Sequence, residues 1–270
     1  MVRRGLVATR EEGRRAVDRG AVLVSGAVAE KPSRLVDPAE PIRLSGERPR
    51  FVSRGGEKLD AALARFGVDV RDRIALDAGA SSGGFTHCLL SRGAARVFAV
   101  DVGYGQLDQR LRSDPRVEVR ERLNVRLMRP SDLDSPNDAF TGVDVVVADL
   151  SFISLKAVVP VLCGEILRDG GDIVVLVKPQ FEAGKAAVGR GKGVIKDPAE
   201  WRSAIYRVSE SLIERGCSII GVMVSPLTGP AGNREFLIHA AKDPTRLSAC
   251  DLDLEVASAT SSAAEASPRR

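Results

Sequence analysis

Residues 74–86 read IALDAGASSGGFT, and this stretch decides the fold. A short apolar strand ends in Asp77, a loop of small residues follows, and the paired glycines Gly83 and Gly84 open a helical stretch. Glycine lets the backbone approach a ligand closely, and doubly wound α/β folds bind their ligands beyond the carboxyl ends of the strands. The stretch therefore predicts the first strand, binding loop and helix of such a domain.

Alternating strands and helices continue on both sides of this stretch. Runs such as VDVVVAD, residues 143–149, are mostly apolar, which is typical of parallel strands covered on both faces. The pattern predicts an α/β, Rossmann-like domain over residues 55–245, with a mostly parallel sheet whose last strand runs antiparallel. The predicted strands are 74–77, 96–101, 117–120, 143–149, 172–178, 218–224 and 234–239, and the predicted helices are 58–66, 84–92, 155–167 and 199–215. Residues 252–270 are rich in Ala, Ser and Thr, so we expect a disordered tail there.

The first 48 residues differ in texture and in charge. They predict a small α+β domain of helices and short strands, followed by a linker over residues 49–54. Residues 1–50 hold 11 Lys and Arg against 7 Asp and Glu, whereas the other 220 residues hold 29 of each. Such a local excess of positive charge suggests a polyanionic partner, although charge alone fits a solvated surface equally well.

The spacing of the loop after the first strand indicates which ligand it holds. It is not the dinucleotide pattern G-x-G-x-x-G, and a nicotinamide cofactor fits it less well. It matches D-x-G-x-x-x-G-G, the loop that wraps the methionine part of S-adenosylmethionine. An acidic residue after the second strand can accept hydrogen bonds from ribose hydroxyls. The predicted cofactor contacts are Asp77, Gly79, Ala80, Ser81, Gly83, Gly84, Phe85, Asp101, Val102, Asn124 and Asp149.

Four ionisable residues stand out by position: Lys58, Asp149, Lys178 and Glu235. An ionisable residue that closes an apolar strand usually marks only where the chain meets solvent. The start of an antiparallel last strand, however, lies beside the ends of the parallel strands, so three of the four could converge on the cofactor crevice. Transfer of a methyl group to a ribose hydroxyl requires that the hydroxyl be oriented and its proton removed. We expect Lys178 to be the base, Asp149 and Glu235 to orient the groups, and Lys58 to add positive charge, but the sequence leaves the proton acceptor open.

Seven strings make the chain resemble the TlyA-type (hemolysin A) family of rRNA methyltransferases: SRGGEKL, DAGASSGGFT, DVGYGQL, VADLSFISL, LVKPQFE, GVIKDP and SPLTGPAGNREF. The resemblance implies a class I methyltransferase domain like that of the FtsJ group, whose Lys-Asp-Lys-Glu tetrad carries over to the four residues above. It also implies S-adenosylmethionine as cofactor and the 2′-hydroxyl of cytidine in 23S and 16S rRNA as acceptor. The implied partners are the 50S and 30S ribosomal subunits, and the family is linked to susceptibility to capreomycin.

The N-terminal segment resembles the S4 RNA-binding domain, in the pattern RRGLVATREEGRRAVDRGAVLVSGAVAEKPSRLV. Compared with other S4 domains it is expected to be short at its N-terminus, which in this family tends to accompany modification of the large-subunit site alone. Phosphate contacts by such a domain position a protein without reading sequence. The predicted RNA-binding residues are Arg3, Arg4, Arg10, Arg14, Arg15 and Lys31 in this domain, and Arg54, Lys185, Arg190 and Lys192 elsewhere; the last three lie in a glycine-rich segment, 178–196, expected to close over the substrate.

Other features narrow the functional classes. The four cysteines form no C-x-x-C pair and the longest apolar runs are too short for a bilayer, so we expect a cytoplasmic protein that does not contact membranes. No metal-ligand spacing occurs, so no metal is expected, and the aromatic content of 4% argues against base stacking as the main mode of RNA recognition. Alternatives are an S4-type ribosome assembly factor without catalysis, a methyltransferase acting on a small molecule or protein, and a cytolysin, as the hemolysin name suggests.

Overall fold

The chain divides into two units between Arg50 and Phe51. The computed structural model describes residues 1–7, 9–18, 21–29, 31–45, 50–135, 139–183, 193–229, 231–243 and 251–265, with the side chains of residues 15 and 18 left out. Phe51 is buried in the second unit, so the predicted linker over residues 49–54 contributes part of its length to that unit's core.

The first unit combines one helix with a small antiparallel sheet. A 3₁₀ turn, Val2–Arg4, precedes helix α1, Arg10–Asp18, and strand β1, Val22–Val24, lies between β2, Ala27–Val28, and β3, Ile42–Leu44. The Thr9 hydroxyl accepts the Glu12 amide at 3.1 Å, which caps the first turn of α1. A small core holds the helix on the sheet: Ala16, Val17, Val22, Val24 and Ala29.

The second unit is a seven-stranded sheet flanked by helices. Its strands are β4 Ile74–Ala78, β5 Arg96–Asp101, β6 Val117–Glu121, β7 Val143–Ala148, β8 Leu167–Val177, β9 Ser218–Val224 and β10 Phe236–Ala241. Its helices are α2 Gly55–Phe66, α3 Gly84–Ser91, α4 Gln109–Arg112, α5 Val159–Val161, α6 Pro179–Glu182, α7 Pro198–Ile213 and α8 Leu252–Glu265.

The strand order is β6-β5-β4-β7-β8-β10-β9, in which β10 runs antiparallel to both of its neighbours. The strands β4 to β8 pair in parallel. Strands such as β7 are buried almost throughout, because helices cover both faces of the sheet. The predicted fold, a mostly parallel seven-stranded α/β sheet with a small α+β domain in front, is confirmed.

The helix predicted over residues 155–167 is not continuous. Pro160 lacks the amide hydrogen that a helix interior needs, and the stretch is a 3₁₀ turn, Leu155–Ala157, then α5, then a π-helical turn, Leu162–Ile166. Strand β8 follows at once, so it begins five residues before the predicted start at 172. The last strand, β10, begins two residues later than predicted, which leaves Glu235 just before it.

The prediction of a disordered tail is wrong for Leu252–Glu265, which forms helix α8. Its buried residues Val256, Ala259 and Ala263 follow helical spacing and belong to the main core. The Glu255 carboxylate also accepts the Val222 amide of β9 at 3.1 Å. Alanine favours helix, and a stripe of small residues can bury a helix without large hydrophobic side chains.

Candidate active site

The loop after β4 turns sharply against its neighbours. Gly79 has φ of +88°, and a Cβ there would lie 2.6 Å from the carbonyl oxygen of Asp149. The amides of Gly79 and Ala80 both donate to the Val100 carbonyl, at 2.8 and 3.0 Å. Only glycine fits the first position, because a side chain there would be both strained and obstructed.

Helix α3 begins at the paired glycines. Gly83 is its N-cap with φ of +94°, and added Cβ atoms at Gly83 and Gly84 would overlap Leu111 and Ser53 respectively. Phe85 is buried behind them. The glycines therefore let the start of α3 pack closely against the backbone of Gly55 and Gly56. Phe85, which was predicted to contact the cofactor, packs in the core of the unit.

Asp77 is a fully buried carboxylate at the end of β4 with one oxygen left over. Its Oδ2 accepts the Thr86 hydroxyl at 2.7 Å, whereas Oδ1 has no hydrogen-bond partner among the described residues. Burial raises the pKa of Asp77 to about 7; the Thr86 hydrogen bond opposes this shift and the charges of Asp149 and Asp101 add to it. A buried acceptor in this state calls for a donor, preferably a cation. The ammonium group of the methionine part of S-adenosylmethionine fits this requirement.

Asp101 ends β5 and organises the next part of the loop. Its two carboxylate oxygens accept the amides of Ser81, at 2.8 Å, and Gly103, at 2.7 Å, which supports the positive φ of Ser81. Val102 beside it is 70% exposed. The Asn124 side chain accepts the Arg126 amide at 3.0 Å and so begins the 3₁₀ turn Val125–Leu127.

The exposed apolar side chains here are compatible with a planar ligand. Leu127 is 71% exposed, as Val102 is, although both are large and apolar. Val102, next to a carboxylate that can accept from ribose hydroxyls, suits the adenosine part of the cofactor.

The four predicted ionisable residues form two ion pairs, of which Lys58–Glu235 is buried and Lys178–Asp149 is partly buried. Lys58 Nζ lies 2.5 Å from Glu235 Oε2, and Lys178 Nζ lies 2.6 Å from Asp149 Oδ1. Lys58, Lys178 and Glu235 are each less than 10% exposed. The register of the sheet pairs Phe236 with Val177, which places Glu235 and Lys178 side by side at the edge where β7 and β8 end. Glu235 was expected to orient Lys178 or the ribose hydroxyl, but its carboxylate contacts Lys58.

Ser151, Phe152 and Phe181 are site residues that the sequence reasoning missed. The Lys178 ammonium donates to the Ser151 hydroxyl at 2.8 Å. Phe152 is 92% exposed with φ of +65°, and its ring lies 5.3 Å from that of Phe181. A bulky residue in the left-handed region is a strong outlier and usually has a function. The low aromatic content argued against base stacking as the main mode of RNA recognition, yet the Phe181 ring centroid lies 5.9 Å from the Lys178 ammonium and the Phe152 ring contacts it.

The predicted RNA-binding residues fall into three groups. Arg3, Arg10, Arg14 and Lys31 are exposed. Arg4, also exposed, donates to the carbonyls of Asp37, Pro38 and Glu40, so its guanidinium holds a turn within the first unit, and Arg54 donates to the Thr228 carbonyl at 3.0 Å. Outside the described residues lie the Arg15 side chain and residues 184–192 of the predicted closing segment, which include Lys185, Arg190 and Lys192.

Comparison with known proteins identifies the family. Residues 51–242 match the model of the FtsJ-like methyltransferases. The chain belongs to the FtsJ-like methyltransferase family. Residues 1–42 of this methyltransferase match the S4 domain.

Its relatives include rRNA methyltransferases and proteins named hemolysins. It is 48% identical over 240 residues to the 16S/23S rRNA (cytidine-2′-O)-methyltransferase TlyA of Mycobacterium tuberculosis, which covers 88% of this chain and 86% of the relative. It is 35% identical to hemolysin A of Brachyspira hyodysenteriae, over 87% of this chain and 95% of the relative. A solved structure from Streptococcus thermophilus that carries the name hemolysin has a TM-score of 0.74 and 38% identity, and covers 96% of this chain and 93% of that one.

Two features of the described residues bear on other functions. No described helix is both long enough and apolar enough to span a bilayer. Within the same residues, no three side chains of the types His, Cys, Asp and Glu are grouped so that they could hold a metal ion.

Proposed function

We propose that this methyltransferase transfers a methyl group from S-adenosylmethionine to the 2′-hydroxyl of cytidine in ribosomal RNA. The observation that carries the proposal is the pair of lysine–carboxylate contacts, Lys58–Glu235 and Lys178–Asp149, where the strands end beside Asp77. Burying a charge is costly even when it is paired, and groups of this kind are concentrated at functional sites. Two lysine–carboxylate pairs close to the predicted cofactor loop therefore favour a catalytic site. The relative that acts on cytidine 2′-hydroxyls in rRNA, and the S4 domain, support ribosomal RNA as the acceptor.

The residues of the site divide the work of the displacement. When bound, S-adenosylmethionine supplies a methyl group activated by its sulfonium charge. Asp149 and Ser151 hold the Lys178 side chain from two sides, so that it would orient the ribose hydroxyl and, as a neutral amine, would accept the hydroxyl proton during methyl transfer. Lys58, held by Glu235, supplies positive charge for the oxygen as it loses its proton.

The S4 domain supplies affinity rather than sequence choice. Arg3, Arg10, Arg14 and Lys31 are exposed on it and would contact RNA phosphates. We propose 23S rRNA in the 50S subunit as the main substrate, with 16S rRNA in the 30S subunit as a second one. Action on these particles places the protein in the cytoplasm, and its loss is expected to lower susceptibility to capreomycin.

The test is methyl transfer to purified subunits. The protein is incubated with tritiated S-adenosylmethionine and with 30S or 50S subunits from a strain that lacks the gene, and Lys178→Ala is the inactive comparison. Lys242→Ala is the matched control, because Lys242 is also a largely buried lysine. It donates to the Leu167 carbonyl and lies at the opposite end of the strands from Lys178.

The outcomes separate the candidate functions. Label in 50S subunits with the wild type and Lys242→Ala, but not with Lys178→Ala, supports the proposal, and label in 30S subunits as well adds the second site. Specific binding of subunits without label would replace it with a non-catalytic assembly factor. Label that enters only protein or small molecules would reassign the acceptor.

A further inference from the structure

Two loops carry the second ion pair, and a buried carboxylate joins them. One loop follows β7 and holds Asp149, Ser151 and Phe152; the other follows β8 and comprises Lys178 and helix α6. Glu182 ends α6. Its Oε2 accepts the Ser154 hydroxyl at 2.5 Å, and its Oε1 accepts the Leu155 amide at 2.7 Å. Both oxygens of one side chain therefore bind consecutive residues of the other loop.

These contacts lie at the far end of the same pair of loops as the lysine. At the near end, Lys178 contacts Asp149 and Ser151, and in the middle the rings of Phe152 and Phe181 lie 5.3 Å apart. Residues 149–155 are thus fixed at both ends against the segment 178–182. Without the far contact, the end of the loop at Ser154 and Leu155 would lose its hydrogen bonds to the segment 178–182, while the Lys178 contacts and the ring contact would remain.

The backbone between the two ends needs such support. Phe152 has φ of +65°, a conformation that costs a bulky residue energy and persists only when the surroundings enforce it. The Leu155 amide is buried, so losing its acceptor would favour rearrangement of the loop. Ser154 is held further, since its hydroxyl also accepts the Lys156 amide at 3.2 Å.

Glu182 is itself anchored from the helix layer. It is 8% exposed, and Arg207 of α7 donates to its backbone carbonyl at 2.8 Å. Burial raises the pKa of Glu182 above its ordinary value, and the hydrogen bonds from Ser154 and Leu155 oppose this shift. Both hydrogen bonds of the buried carboxylate therefore go to the loop after β7 and not to solvent.

We infer that Glu182 is a positioning residue, which holds the 149–155 loop so that Asp149, Ser151 and Phe152 keep their places around Lys178. It acts through these residues and has no part in the chemical step itself. The inference deepens the proposed function and rests on it for the activity readout. It predicts that Glu182→Ala lowers kcat about tenfold to a hundredfold, as expected for displaced groups in an active site.

The rescue variant is Glu182→Gln. Glutamine keeps an acceptor for the Leu155 amide, and its NH2 group can donate to the Ser154 hydroxyl oxygen. We expect Glu182→Gln to retain most of the wild-type kcat. The matched control is Asp144→Ala, which also removes a carboxylate that accepts a buried strand's amide, that of Ile74 at 2.9 Å, but at the opposite end of β7. It is expected to lower the melting temperature and to leave kcat unchanged.

The experiment combines an activity assay with hydrogen exchange. Amide exchange of the peptide 150–157 is measured in the apo protein, together with single-turnover methyl transfer for wild type, Glu182→Ala, Glu182→Gln, Asp144→Ala, Ser151→Ala and the double variant Ser151→Ala/Glu182→Ala. Faster exchange in Glu182→Ala but not in Glu182→Gln supports the inference. A double variant that is no slower than the slower single variant also supports it, because both changes then act on one loop.

Three results would overturn it: unchanged exchange in Glu182→Ala, wild-type kcat in Glu182→Ala, or an equal loss of kcat in Glu182→Ala and Asp144→Ala at matched stability. The exchange measurement does not depend on the acceptor. A wild type that labels no ribosomal RNA would therefore refute the proposed function, while exchange alone would still decide whether Glu182 holds the loop.

Discussion

Replacing Asp77 by asparagine should make the protein more stable at alkaline pH and weaker in cofactor binding. The pKa of Asp77 in the folded protein is about 7, against an ordinary value of 3.8. A group whose pKa is raised by folding contributes stability that is complete below the lower value and is lost as the pH rises through the higher one. At about 1.4 kcal/mol per pH unit, the wild type loses about 4 kcal/mol in total, of which roughly 3 kcal/mol is lost between pH 5 and pH 8.

Asparagine does not ionise, and its carbonyl oxygen can still accept the Thr86 hydroxyl. The difference in melting temperature between Asp77→Asn and wild type should therefore grow by roughly 5 to 10 °C from pH 5 to pH 8. Differential scanning fluorimetry of the apo proteins measures this. Asp114→Asn is the control: the hydrogen bond from Arg116 lowers the pKa of the half-buried Asp114, so both its folded and unfolded forms are ionised above pH 5 and the difference should stay flat.

The second half of the prediction concerns the ligand. A cationic group that approaches Asp77 favours its ionised form, so the affinity of the wild type for S-adenosylmethionine should fall as the pH drops below about 7, by up to about tenfold per pH unit. Calorimetry in two buffers of different ionisation enthalpy would also detect release of a proton on binding. A melting-temperature difference that does not depend on pH, together with cofactor affinity that does not change from pH 5.5 to 7, would refute the reasoning.

Three further predictions test other parts of the structure. Gly79→Ala should abolish cofactor binding measured by calorimetry, because its Cβ would meet Asp149, whereas Gly67→Ala has the same backbone strain with open space around it and should bind normally. Glu235→Ala should destabilise the protein by about 3 to 5 kcal/mol in urea unfolding, since Lys58 would remain buried without its partner, and a smaller loss in the double variant with Lys58→Met would confirm the cause. Val256→Asp should lower the melting temperature by several degrees if α8 is part of the core, and an unchanged melting temperature would instead support the prediction of a disordered tail.

Much of the sheet could be predicted because its strands are continuous apolar runs. Both ends of Arg96–Asp101 and of Ser218–Val224 agree with the prediction, since each run is bounded by polar or small residues. The predicted helix over 155–167 failed at Pro160, whose effect on helices is known and was outweighed by the surrounding apolar residues. The helix at the C-terminus was missed because alanine and serine indicate disorder as readily as they indicate a helix packed through small residues.

The sequence could predict which residues form the site but not which residues they contact. Position at a strand end identified Asp149, Lys178 and Glu235, and position at the first helix of the sheet domain identified Lys58, whereas the pairing of each lysine with one particular carboxylate depends on side-chain geometry. The support from Glu182 was missed because a glutamate on a short helix looks like a solvated surface residue until the burial of its carboxylate is known. Arg4 shows the opposite error: a basic residue counts toward charge even when backbone carbonyls occupy its guanidinium.

The insertion of β10 between β8 and β9 has a consequence for how the protein is made. Lys58 and Glu235 are separated by 177 residues, and the strand that follows Glu235 fills a gap inside the sheet rather than extending its edge. During synthesis β9 emerges before β10 and has no neighbour in the sheet to pair with, so the nascent chain exposes two unpaired strand edges. The Lys58–Glu235 contact therefore cannot form until β10 has been made and has inserted between its two neighbours.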